Sequence, residues 1–517
     1  MQPVAKSQAR LQENYDWIVL GDSPAALLTA ALVARMGLSV LIVAEDAGKK
    51  WTVTESGQLI DLEPNFLMGL ARMERLGGVV AECLSRLRQA PSEWSRLERP
   101  EVLFQAVTPH VRAGFSVQHE AFEREIRREA GAKPQVWLAL SEALSITELL
   151  THGFWRFLPE RLTLRDPKTQ AFPMEIPESE EALRKRLESL LEKSKPEILE
   201  WLDQRREVSQ LFHSEHQREW LQAWLAAILG HEIESCTPYH ALQLFNMART
   251  AVRVTGGVSA FRQSILRLAV RMGAQCISPE ADSGRIFSED GKILGVQLGT
   301  RGSVVRGKGI AAGRDSGVVR SWMDEQPVDL FDPFVGLRVT LALSIHDGGL
   351  PQAMQFRTIW KESGAPAIEM ERARPEEYGL PGGDYEVLFV RSVMPPESAA
   401  WKPEKWRTVL SRMHRQVSEV IPFLRKNEFR RFPDFEASDF VDQWVRFYGL
   451  GEPICRRELM RVPLRREKRK NPTPGIEGLF VFDGSHQPEW GSLGDFSYAL
   501  EASAWIAHRS GLAGPLG

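Results

Sequence analysis

The stretch of the chain best suited to chemistry is Gly21-Asp22-Ser23-Pro24-Ala25-Ala26. It follows a short apolar run, Trp17-Ile18-Val19-Leu20, and opens a segment of mostly small and aliphatic residues from Pro24 to Met36. An apolar run ended by glycine suits a strand buried on both faces. Pro24 fits a first helical turn, Gly37 a helix stop, and Val40 to Val43 a second buried strand. The pattern predicts strand, turn, helix and strand, with the helix aiming free backbone N–H groups and its positive dipole end at whatever lies above the turn. Such an end binds anions, phosphate above all.

In the fingerprint G-x-G-x-x-G the first glycine makes the turn, the second lets a pyrophosphate approach the backbone, and the third lets helix and strand pack closely. Gly21 keeps the first role, Ser23 takes the second and Ala26 the third. The serine side chain crowds a phosphate, although its hydroxyl can hydrogen-bond one. An acid for the ribose hydroxyls is expected at the end of the second strand. Register puts Ala44 there and Glu45 one residue late, which in a strand is the opposite face unless the end is bulged or twisted. The signal for the fold is stronger than the signal for the ligand.

Two more blocks have the same texture. Val254 to Ser278 reads as a glycine turn at Gly256-Gly257, an amphipathic helix from Ser259 to Met272 and a strand. Two or three short strands turning at Asp290-Gly291 follow, then a strand ending at Gly313. Ile476 to Gly511 reads as an apolar strand, a loop rich in Gly and His, and a helix starting near Leu493.

At 517 residues the chain is too long for one core. A formal charge of -3 gives no bulk attraction to nucleic acid or acidic lipid. Cys83, Cys236, Cys276 and Cys455 lie far apart without a C-x-x-C pair, which suggests neither a zinc ribbon nor a secreted disulfide framework. The first residues lack the apolar core of a signal peptide, and no long uninterrupted apolar run occurs. The expectation is a soluble cytoplasmic protein whose membrane contact, if any, is peripheral, with no nucleic-acid partner.

The three blocks, in this order and at these separations, resemble the phytoene desaturase-like branch of the FAD-dependent amine oxidase superfamily. Thr52 to Leu67, with Asp61 and Pro64, looks like that family's segment after the second strand, and Leu103 to Val117 like its substrate-domain edge strands. The resemblance implies an α/β plus α+β fold: an FAD-type Rossmann (GR2-like) domain made of 1–75, 231–325 and 470–517, and a discontinuous substrate or cap domain made of 76–230 and 326–469 with a helical insert at 178–229. It implies FAD as cofactor, held by Gly21, Ser23, Pro24, Ala25, Ala26, Glu45, Gly256, Gly257, Asp483, Gly484, Gly491, Leu493 and Gly494. It also implies hydride removal from an apolar small-molecule substrate, chemistry in which no side-chain nucleophile is required. The departures cluster on the cofactor: Ser23, Ala44, Lys49-Lys50-Trp51 in place of a glycine pair and arginine, and Asp483-Gly484 in place of Gly-Asp. The rival reading is therefore a flavin-type fold that has lost FAD and works as a binding or scaffold protein, as the Rab GDP-dissociation inhibitors and escort proteins of the same fold do.

Within the cap region, Val335 to Ile345 and Gly383 to Pro395 read as strands of a sheet over the flavin face. Leu183, Leu187, Leu190 and Leu191 repeat at helical spacing among dense charge. The bland reading of 178–229 is a helical hairpin packed on its own sheet. The sharper reading is a docking helix for a membrane surface or protein partner, helped by Trp201, Trp220 and Trp224. His213 and His216 offer half of a metal site at helical spacing, against a solvated face. Cys236 and His240 form a nucleophilic dyad only if Pro238 between them permits it. Arg465 to Lys470 is a basic run, and His486 lies in the glycine-rich loop without a required role.

Overall fold

The computed structural model describes residues 11–44, 51–53, 59–61, 66–67, 70, 78–89, 97–130, 135–145, 185, 189, 196–203, 206–229, 236–277, 284–290, 292–298, 304–313, 334–346, 348–350, 357–361, 366–378, 380, 383–448, 452–455, 477–482 and 492–512. The expectations at Glu45, Lys49-Lys50, Asp483, Gly484, His486, Gly491 and 465–470, and all four leucines of the repeat, lie outside them.

The apolar run near the N-terminus forms strand β1 (Asn14–Leu20), and the small and aliphatic segment forms helix α1 (Pro24–Arg35) before β2 (Val40–Val43). Trp17 to Leu20 and all of β2 are buried, as parallel strands covered on both faces must be. Strands β1 and β2 pair in parallel, Trp17 opposite Val40 and Leu20 opposite Val43. The sheet runs β10 (Gln275–Ile277), β2, β1, β13 (Val304–Gly313), β12 (Lys292–Leu298), β11 (Gly284–Glu289). Strand β20 (Leu479–Phe482) pairs in parallel with the second half of β13. Thus β10, β2, β1, β13 and β20 are parallel and end at one edge, while β12 and β11 run antiparallel as a hairpin turning at Asp290.

Helix α1 is apolar all round, and every residue from Ala25 to Ala34 is buried. A helix of that kind needs partners on every side. It finds them in α2 (Gly78–Leu87), α6 (Gly257–Arg271) and α8 (Ser492–Arg509), whose Val80, Leu84, Phe261, Ile265, Phe496 and Leu500 share one core with Leu27, Leu28 and Ala31.

The second sheet has the order β18 (Glu428–Phe432), β14 (Phe334–His346), β17 (Tyr385–Met394), β16 (Ile368–Ala373), β15 (Arg357–Trp360), β7 (Val102–Val107), β8 (Arg112–Ser116), with β19 (Glu452–Cys455) on β14. Among the described residues of this sheet, only the β7–β15 pair is parallel. Helices α3 (His119–Glu129), α4 (Glu215–Leu229) and α5 (Pro238–Ala248) join its β7–β8 end in one aromatic-rich core, and α7 (Pro403–Val420) packs with β14 and β17. Two small sheets complete the described strands: β3 (Trp51–Val53) with β4 (Leu59–Asp61), and β5 (Phe66–Leu67), β9 (Val252–Val254) and β6 (Leu97–Glu98).

Two helices near the expected domain boundaries pack as follows. Helix α2 lies beyond residue 75 yet packs on α1 and α8, and α5 lies beyond 231 yet packs with the second sheet through Leu242 and Phe245. Of the residues behind the docking reading of 178–229, Trp201, Trp220 and Trp224 are fully buried, with Trp220 and Trp224 packed edge to face 4.9 Å apart. They fill a core, so none of them can meet a membrane or a partner.

The second sheet also buries charge. Glu369 and Glu371, two residues apart on β16, point to one face, and Arg391 on β17 stands opposite Glu369. Arg391 donates to Glu371, lies 3.7 Å from Glu369, and is 1% exposed. Removing one partner leaves an ion buried without its counter-charge, which is strongly destabilising. Arg391→Met is expected to lower stability by about 3–5 kcal/mol, and Arg391→Met with Glu369→Gln and Glu371→Gln by clearly less, as read from denaturant unfolding midpoints. Equal losses in the two variants would remove the ionic explanation.

Candidate functional site at the carboxyl edge of the parallel sheet

Strands β1, β2, β13 and β20 end at the same edge of the sheet, which is where open α/β sheets bind ligands. Gly21 makes the first turn at φ +105°, a left-handed conformation that side chains resist. Its N–H is held by the Val43 carbonyl at 2.9 Å. The first glycine of the fingerprint is therefore needed for the reason its position implied.

The next residues are arranged differently from an open anion cradle. Ser23 is the N-cap of α1, in extended conformation, and its Oγ accepts from the Ala26 N–H at 3.3 Å. Pro24 has no N–H to offer. Asp22 is buried and sits 3.8 Å from Nη1 of Arg262, on the second turn of α6. A pyrophosphate above this turn would meet the helix dipole in the favourable sense. It would also meet one amide already engaged, one amide missing, and a carboxylate. Gly21, Ser23 and Ala25 thus fit the group, with fewer donors than the fingerprint supplies. The Asp22–Arg262 pair has no counterpart in the sequence pattern, because it joins two helix starts far apart in the chain.

The second glycine pair lies beside this site. Gly256 is the N-cap of α6 at φ +82°, and Gly257 follows at +76°. A Cβ on Gly256 would come within 3.1 Å of the Glu377 carbonyl oxygen, so the turn needs glycine for space as well as for conformation. At the end of β2, Ala44 is buried and its N–H bonds the Ile277 carbonyl at 2.9 Å, which leaves no acid at the register position. Leu493 and Gly494 belong to the first turn of α8, where Gly494 is buried. The structure therefore brings Gly21, Ser23, Pro24, Ala25 and Ala26 together at one helix start, ties Asp22 there to α6 through Arg262, and packs α8 on α1.

The other constellations resolve otherwise. His213 precedes α4, so it does not share a helix with His216. The Cys236 Sγ donates to the Thr237 carbonyl at 3.3 Å, and Thr237 caps α5 by accepting from the His240 N–H at 3.3 Å. This is helix-capping geometry with Pro238 in the first turn.

No protein-family model matches the chain, and no curated protein matches it in sequence. Solved structures match in fold. An oxidoreductase from Methanosarcina mazei aligns over 93% of this chain and 98% of its own, at 11% identity and a TM-score of 0.50. A single mutant of putrescine oxidase, from work on redesigning its cofactor binding, aligns over 96% and 99%, at 11% identity and a TM-score of 0.50. A double mutant of the same enzyme gives 12% identity and a TM-score of 0.50. The chain is a mixed α/β protein of several sheets, similar in fold to these oxidoreductases. Among the described residues no helix is long and apolar enough to cross a membrane.

Two outcomes test the turn. Ser23→Ala removes the cap and is expected to cost about 1 kcal/mol in unfolding free energy, while Ser23→Gly costs only a few tenths. Near the turn, burial and then the charge of Asp22 push the Cys276 thiol up to about 11 from 9.0. A raised value means that the native thiol stays neutral at pH 7. Alkylation at Cys276, mapped by mass spectrometry, should still be accelerating above pH 9.0 and should quicken in Asp22→Asn. A rate that levels off near pH 9.0 would contradict this placement.

Proposed function

We propose that the protein is an FAD-dependent oxidoreductase acting on a small molecule. The carrying observation is the convergence at one sheet edge of the Gly21 turn and the ends of β2, β13 and β20, on a fold similar to that of known oxidoreductases. In this reading Gly21, Ser23, Ala25 and Ala26 face the pyrophosphate, Gly256 and Gly257 bring α6 alongside, and Leu493 and Gly494 start the helix that approaches the flavin. By the sequence resemblance, Glu45, Asp483, Gly484 and Gly491 would complete the set. FAD, when bound, supplies the hydride acceptor. The nucleotide domain then comprises 1–75, 231–325 and 470–517 with α2 added and α5 reassigned, and the remainder covers the flavin.

The phytoene desaturase-like branch and an apolar substrate remain the finer form of the proposal. Docking to a membrane or protein partner finds no support in the buried tryptophans.

One observation favours the non-catalytic alternative: the engaged Ala26 amide, Pro24 and Asp22 leave the turn short of donors. Both readings meet one experiment, the visible absorbance of the purified chain before and after saturation with FAD and removal of excess. The proposal expects roughly one flavin per chain, and roughly a hundredfold tighter binding in Ser23→Gly/Pro24→Ala, where each of the two freed amides adds a charge-assisted hydrogen bond of about 1.5 kcal/mol. A protein that stays colourless at saturating FAD would overturn the enzyme reading and leave the scaffold one.

A further inference from the structure

The hairpin loop between β7 and β8 meets the first turn of α4 in a group of metal-ligating side chains. One ring nitrogen of His110, one of His216 and one carboxylate oxygen of Glu219 all lie within 4.8 Å of one another. His216 and Glu219 are three residues apart on α4 and so share a face. His110 is held from the other side by a local turn. The Thr108 Oγ1 accepts from the N–H groups of His110 at 3.2 Å and Val111 at 3.0 Å, while the Thr108 N–H donates to the Val111 carbonyl at 2.8 Å. The imidazoles stand 4.0 Å apart between centroids, tilted by 40°.

The carboxylate makes the group more than a surface pair. Glu219 is 7% exposed, and its Oε2 is buried with no hydrogen-bond partner among the described residues. An ionised carboxylate in that position is costly unless a cation reaches it. Both imidazoles are exposed at the mouth of the group, so an ion can enter from solvent and the face away from the protein stays open. Imidazole ligands select a transition-metal ion over calcium or magnesium, which prefer all-oxygen shells. Tetrahedral ligands about 2.0–2.1 Å from zinc stand roughly 3.3–3.5 Å apart. The present spacing therefore closes around an ion with side-chain shifts alone.

We propose that His110, His216 and Glu219 bind one divalent ion of the zinc class, with a fourth position left to water. The ion would join the β7–β8 loop to α4, and the site stands independently of whether the carboxyl edge of the parallel sheet binds a flavin. The test uses the full chain without an affinity tag, stripped by chelator, and titrated with Zn2+ alone and with Co2+ alone. Expected are one ion per chain, visible d–d bands of four-coordinate Co2+, and a thermal midpoint that rises with Zn2+. His110→Ala and His216→Ala should each weaken Zn2+ binding by at least the roughly 10–100-fold that outer-shell partners of metal sites carry. His213→Ala, just ahead of the helix, should leave it unchanged. Because both substituted imidazoles are exposed, these variants test the site without disturbing a core. A wild-type chain that binds no stoichiometric ion, or binding that survives both imidazole variants, would overturn the proposal.

Discussion

The carboxyl edge of the parallel sheet hangs on one constraint: helix α1 is apolar on every side and must be enclosed. Its small residues, Ala25, Ala26, Ala30, Ala31 and Ala34, let neighbours approach closely, and its one hydroxyl, Thr29, is satisfied within the helix by donating to the Ala25 carbonyl at 2.8 Å. With β1 and β2 beneath it and α2, α6 and α8 around it, the helix cannot tilt or slide without opening voids in a core that extends to all of them. The turn from Gly21 to Ser23 inherits that rigidity. The starts of α1 and α6 lie close enough for the Asp22–Arg262 pair, because both helices are fixed by the same packing.

That enclosure also explains what is peculiar about the turn. A serine N-cap followed by proline is a good way to begin a helix, and both residues stabilise α1 here. The same two residues remove donors that an anion would use, one by engaging the Ala26 N–H and the other by having none. Local helix stability and anion binding therefore compete for the same few atoms. Asp22 adds a negative charge, which Arg262 offsets from the side. Any anion bound here relies more on the dipole and on the remaining amides than the glycine-rich fingerprint requires.

The parallel sheet and its first helix were legible in the sequence because their signals are local: apolar runs of strand length, an unbroken apolar helix, and glycines at φ +105°, +87° and +82° where turns and stops were expected. Periodicity says that a helix has a buried face but not which core receives it, and so the sequence did not say that α2 packs on α1 and α5 against β7 and β8. The same blindness made Trp201, Trp220 and Trp224 resemble a docking face, when the partners of Trp220 and Trp224 are Trp137, Phe115, Phe122 and Phe245 from other parts of the chain. His216 was visible as half of a metal pair. Its partners were not, since His110 arrives through a distant hairpin and Glu219 matters because of its burial, which no spacing reveals.

The position of the second glycine turn is set from two directions. Strand β9 leads directly into Gly256, and Arg253 in that strand is 2% exposed, donates to Glu377 and lies 3.4 Å from Glu98. Burial works against the Arg253 charge, but Glu377 and Glu371 outweigh it and hold the guanidinium above its ordinary range. Glu377 follows β16 closely, and its carbonyl crowds the place where a side chain at Gly256 would go. One end of α6 is therefore pinned by charge to the second sheet while its length is pinned by apolar packing to α1. Because the ionic contact is directional and the apolar one is not, the contact at Arg253 sets where the Gly256 turn sits against Glu377, and the core around α1 holds the length of α6.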